Sequence, residues 1–148
     1  MLLAAVVAVV ALGVWRLLTD GRFRGTHTVR GAAEKGTQSA PDTASRCLAE
    51  FLPADTRLGE RATLLQFSTA FCAPCRATRR TLAEVAEVVP GVAHVEIDAE
   101  HHLELVRRLR ILRTPTTLVL DADGREVSRA SGAPRKEQVL GALALASP

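Results

Sequence analysis

Between Thr63 and Ile97 an apolar run, a helical pattern and a second apolar run follow one another, and this order restricts the fold more than any other feature. TLLQF at 63–67 reads as a buried strand. From Ala73 to Val89, the residues Leu82, Val85, Ala86 and Val89 recur at helical spacing, and Pro90-Gly91 ends the pattern. VAHVEI at 92–97 reads as the next strand. Strands joined by a helical crossover run parallel, because the helix returns the chain to the end of the sheet where the first strand began.

The pattern continues with a helix through Leu103, Val106 and Leu109, whose solvent face carries Arg107, Arg108 and Arg110. TTLVL at 116–120 and residues 126–129 are the third and fourth strands, joined by a two-residue turn at Asp123-Gly124 that requires an antiparallel pair. Val139, Leu140 and Leu143 line a last helix. An optional short helix from Cys47 to Leu52, ended by Pro53, precedes the whole. The expectation is an α/β domain over 47–148 with the order βαβαββα, a mixed four-stranded sheet flanked by helices.

Residues before 47 have a different character. Met1 to Leu18 is apolar apart from Arg16, near the lower length limit for a transmembrane helix, with Trp15 and Arg16 suited to a membrane interface. A cleaved secretory signal is the rival reading, but no basic start and no clear small-x-small cleavage site are present. Residues 1–18 are therefore expected to be a single-pass membrane anchor. Residues 19–46, rich in Gly, Ser and Thr without a hydrophobic period, are expected to be a flexible linker. Arg16, Arg22, Arg24 and Arg30 place the positive charge on the C-terminal side of the apolar run, so the positive-inside rule puts the domain in the cytoplasm; an extracytoplasmic domain is the alternative.

Charge and composition narrow the function. The net charge of +3 lies wholly in residues 1–46, which hold six Lys/Arg and three Asp/Glu, against thirteen of each in 47–148. A neutral domain with one Trp, four Phe and no Tyr lacks the basic field and the stacking rings that nucleic acid requires, so no nucleic acid partner is expected.

The chemistry is concentrated in Cys72-Ala73-Pro74-Cys75, at the junction of the first strand and its helix. A sulfur at a helix N-terminus faces free backbone N–H groups and the positive end of the helix dipole, which stabilises a thiolate. Cys75, almost one turn further on, is close enough for its sulfur to reach that of Cys72. Arg76 adds positive charge.

QFSTAFCAPC, VAHVEIDAE, RTPTTLVL and DADGREV resemble the thioredoxin family in order and spacing, over about 100 residues after the linker. The resemblance implies a thioredoxin fold and a thiol–disulfide oxidoreductase without cofactor. In it, Cys72 attacks a substrate disulfide and Cys75 resolves the mixed disulfide, leaving a Cys72–Cys75 redox disulfide. Phe71, Ala73 and Pro74 would form the active-site loop, and Thr114-Pro115 the cis-proline loop that binds an extended substrate. Implied partners are disulfide-bearing proteins and an upstream thiol reductase. Phe71 and Ala73 depart from the familiar Trp and Gly, and Gln66 stands where the family has a buried acid. The segment TPTTLVLDADGREV also resembles membrane-tethered thioredoxin-like proteins of bacterial cytochrome maturation, without the insertion those often carry.

Competing readings are weaker. A zinc site formed by the cysteine pair with His101 and His102 lacks a second ligand pair, and adjacent helical histidines diverge by about 100°; no metal is expected. Cys47 is expected to be a buried thiol, and His94 has no identifiable partner. A non-catalytic adaptor that binds peptides in the Thr114-Pro115 groove is the alternative function class.

Overall fold

The computed structural model describes residues 2–19, 22–25, 52–54 and 56–146. In chain order the elements are α1 (Leu2–Thr19), β1 (Phe23–Gly25), β2 (Ala62–Ser68), α2 (Ala73–Val88), β3 (Val92–Asp98), α3 (Leu103–Arg108), β4 (Thr116–Asp121), β5 (Glu126–Ser131) and α4 (Lys136–Ala146). The expected βαβαββα order is present. Cys47 and the rest of 47–51 in the helix expected over 47–52 lie outside the described residues, and Leu52, which is described, is buried and not helical.

The sheet runs β1-β5-β4-β2-β3. β2 and β3 are parallel, with Leu64 opposite His94 and Gln66 opposite Glu96. β4 is antiparallel to both β2 and β5. These four are the expected mixed sheet. A fifth strand corrects the linker expectation: Phe23 to Gly25 pairs antiparallel with β5, Phe23 opposite Ala130. The open edge of β5 offers unpaired N–H and C=O groups, and Phe23 packs against the apolar cluster beneath.

The expected two-residue turn is a four-residue connection. Gly124 has φ 74°, its N–H bonds to Asp121 O at 3.0 Å, and Asp121 Oδ1 accepts the N–H groups of Asp123 and Arg125. A short acidic side chain that captures two backbone donors holds the wider loop closed.

α1 is 18 residues long and covers residues 2–18 of the expected anchor, with side chains described over 6–15. Among the described residues no helix is long and apolar enough to cross a membrane.

Alternation along β2 divides the core between the faces of the sheet. Leu65 and Phe67 join Ile97, Leu105 and Leu118 on the α3 face. Leu64 joins Leu82, Val85, Val139 and Leu143 on the face covered by α2 and α4. α2 buries Cys75, Thr78, Leu82 and Val85, a helical stripe that ties the active-site turn to the core.

The approach to β2 is close. A Cβ on Gly59 would stand 2.2 Å from Ala62 O, 2.6 Å from Ala93 N and 2.7 Å from Gly91 O, all backbone atoms. Gly59→Ala is expected to destabilise the domain by about 1–3 kcal/mol, the range for overpacking a site that cannot yield. Urea unfolding midpoints of the two proteins check this.

Candidate active site

β2 ends at Ser68, and after three intervening residues the chain turns into α2 with Cys72 as its N-cap at φ −90°, ψ 98°. Pro74 lies in the first turn, where a missing N–H costs no helical hydrogen bond. Cys72 Sγ accepts the N–H of Cys75 at 3.1 Å, so the sulfur occupies the place a capping oxygen usually takes. The two cysteines are joined, with S–S 2.00 Å and Cα–Cα 5.2 Å. Cys72 is half-buried and Cys75 is 1% exposed. An incoming sulfur therefore reaches Cys72 and not Cys75.

The remaining expected site residues surround the pair. Phe71 is 99% exposed at the rim, and Ala73 and Pro74 are exposed on the first turn of α2. The Thr114–Pro115 peptide is cis. The Thr114 and Thr69 hydroxyls stand 3.2 Å apart, linking the proline loop to the turn that carries Cys72. Gly132 donates its N–H to Pro115 O at 2.7 Å, and Thr116 donates its hydroxyl to Arg113 O at 2.8 Å. The loop is thus held from β5 and from its own flank. Arg76 is exposed beside the pair.

The family model for a thioredoxin-like domain matches residues 55–147, well over half of the chain. The chain belongs to the thioredoxin-like family. Thioredoxin H-type of Fagopyrum esculentum is 28% identical over 85 residues, covering 57% of this chain and 72% of the relative. Thioredoxin H-type 1 of Nicotiana tabacum is 30% identical over 78 residues, covering 53% and 61%. Among solved structures, Fasciola hepatica thioredoxin matches with a TM-score of 0.54 at 22% identity, covering 68% of this chain and 88% of that one, a likeness of fold. Thioredoxin F from spinach chloroplast matches at 0.52 and 26%, covering 60% and 78%. Family membership and the bonded cysteine pair together support thiol–disulfide oxidoreductase activity in this thioredoxin-like chain.

Beneath the pair lies a polar ladder. Gln66 is fully buried and donates Nε2 to Cys75 O at 2.9 Å. Its Oε1 stands 3.2 Å from His94 Nε2; a carbonyl oxygen only accepts, so this histidine nitrogen carries the hydrogen. On the same face of β3, Glu96 accepts from Ser68 Oγ at 2.5 Å and from Arg79 Nη2 at 2.7 Å. His94 thus has a partner after all. The signal was the alternation of His94, Glu96 and Asp98 along β3, which puts three polar side chains on one face.

Both titratable members of the ladder have displaced pKa values. Burial pushes His94 below its ordinary 6.5 and outweighs the attraction of Glu96; the positive charge of Arg79 acts in the same direction as burial. Burial raises the carboxyl of Glu96, but hydrogen bonds from Arg79 and Ser68, with the Arg79 charge, hold it below 4.5. For both groups the unfolded chain binds the proton more readily, so stability falls on acidification. The windows differ. His94 acts as pH falls from about its ordinary value to its lower folded one, and Glu96 acts only below the ordinary carboxylate value. His94→Gln is therefore expected to flatten the decline in unfolding midpoint between about pH 7 and pH 5, measured by urea titration at a series of pH values.

Among the described residues, no three of His, Cys, Asp and Glu are grouped so as to hold a metal ion. His101 Nδ1 faces Asp98 Oδ2 at 2.8 Å, and His102 Nδ1 lies 3.0 Å from Asp98 O. Both are engaged locally at the end of β3.

Proposed function

We propose that this thioredoxin-like chain reduces protein disulfides, with Cys72 as nucleophile and Cys75 as resolving thiol. The Cys72 thiolate attacks one sulfur of the substrate disulfide and expels the other as a thiolate. Cys75 then loses its proton and attacks Cys72 Sγ, forming the intramolecular disulfide and releasing the second substrate sulfur. Two electrons pass to the substrate, and an upstream thiol reductase returns the pair to the dithiol. The observation that carries this reading is the asymmetry of the pair: a half-buried Cys72 at the α2 N-cap, bonded to a Cys75 sealed in the core. In this reading, Thr114 and Pro115 bind extended substrate, and Phe71 supplies an apolar contact at the rim.

The reading includes a site at the membrane. Its support is the apolar run 1–18 and the arginines that follow it, which by the positive-inside rule put the domain on the cytoplasmic side. Alkylation with a membrane-impermeant reagent, on intact and on lysed cells, tests place and direction together. Labelling of Cys72 and Cys75 only after lysis, with the pair mostly reduced, is expected. Labelling in intact cells would place the domain outside and point to extracytoplasmic thiol exchange. Recovery of the chain in the soluble fraction would remove the anchor.

A further inference from the structure

The resolving step needs a place for a proton. Cys75 is almost wholly buried, yet its thiol must ionise before it can attack. Its sulfur is three residues inside the helix, where the dipole that favours a Cys72 thiolate has begun to fade. Gln66 lies directly beneath but carries no titrating proton, and both ends of its amide are occupied, by Cys75 O and by His94.

On one side of Cys75 the structure opens a cleft of about 390 Å³, lined by Ser68, Cys75, Arg76, Arg79, Glu96 and Asp98. Such a space admits several bridging waters. Two carboxylates face it. Asp98 is turned toward the following loop, where its oxygens take the N–H of Glu100 and face His101, each at 2.8 Å. Glu96 is held over the cleft instead, fixed by Ser68 from β2 and by Arg79 from α2. His94, the remaining base nearby, is separated from Cys75 by the Gln66 amide and does not line the cleft.

We propose that Glu96 accepts the proton of Cys75 across this cleft during resolution. This deepens the function proposed above and rests on it. The Cys75 S–H bond breaks, its proton passes through bridging water to the Glu96 carboxylate, and the thiolate attacks Cys72 Sγ. The Cys75–Cys72 bond forms as the bond from Cys72 to the substrate sulfur breaks, with the electron pair leaving on that sulfur. Glu96 then returns the proton to solvent on the open side of the cleft, where Arg79 is half-exposed. The groups that set the charge around Glu96 are Arg79 and Arg76 on α2, with His94 and Asp98 on β3. Together Arg79 and Ser68 keep the carboxylate ionised at neutral pH.

The two steps can be timed separately. Full-length reduced protein carrying Cys47→Ser is mixed with one equivalent of an aromatic disulfide that releases a coloured thiolate. Attack by Cys72 gives the first release and attack by Cys75 the second. With Glu96→Gln, the first release is expected to keep its rate. The second is expected to slow by about 10²-fold or more near neutral pH, the lower end of the usual contribution of a positioned base. It should approach the parent rate in alkali, where hydroxide ionises the thiol directly. An unchanged or faster second release would overturn the proposal, since a carboxylate that acts only as a negative charge disfavours the thiolate. Slowing by the same factor at every pH would also overturn it, as would the same pH-dependent slowing produced by His94→Gln. Absence of the first release in the parent would contradict the function proposed above rather than the role of Glu96.

Discussion

Replacing Cys72 with Ser is expected to reduce turnover of a disulfide-bonded protein substrate by about 10³-fold or more, the scale seen when an enzyme loses its nucleophile. Cys75→Ser is expected to act differently. It leaves the half-buried sulfur at the α2 N-cap able to attack, so the variant should accumulate a mixed disulfide through Cys72 and stall. The contrast follows from burial: Cys75, at 1% exposure, is reached by Cys72 but not by a protein substrate. Non-reducing electrophoresis of each variant with substrate checks both halves. Equal residual activity in the two variants would contradict the assignment of roles, and normal partner binding without either sulfur would favour an adaptor.

The largest effect on stability is expected at Phe67. Its ring is fully buried near the end of β2 and packs in the cluster with Leu65, Ile97 and Leu118 on the α3 face. Phe67→Ala is expected to cost about 3–5 kcal/mol, from lost burial and from the cavity left in a cluster with no other aromatic ring among the described residues. A domain of this size has a total stability of about 5–15 kcal/mol, so the variant should be partly unfolded under mild conditions. Guanidinium titration followed by circular dichroism measures the difference. A cost below about 1 kcal/mol would mean that the α3 face collapses around the gap.

The order of elements was legible because each depends on its own residues. Apolar runs marked β2, β3 and β4, and Pro90-Gly91 marked the end of α2 within a residue of its observed close at Val88. The cysteine pair was legible for the same reason, since a C-x-x-C after a strand falls at a helix N-terminus wherever the crossover leads. Features that depend on contacts between distant segments were not. Phe23 to Gly25 has too few residues to show a period, and it becomes a strand because β5 offers it an edge. Asp123-Gly124 located the turn, but the capture of two N–H groups by Asp121 set its length. The ladder of Gln66, His94 and Glu96 exists only through the parallel register of β2 and β3. Read alone, Gln66 was a missing acid; in the fold it is the base of the active-site turn.

The claim on which the rest depends is that Cys72 and Cys75 form one reversible two-electron couple. It is tested most directly by equilibrating the full chain in thiol–disulfide buffers of graded potential, quenching with acid, alkylating every free thiol in denaturant and weighing the intact protein. With three cysteines in the sequence, the account predicts two forms only, one alkylated at Cys47 alone and one at all three residues, exchanging in a single transition. A chain that stays in one form at every potential, or that populates a form with two alkylated cysteines at equilibrium, would contradict it.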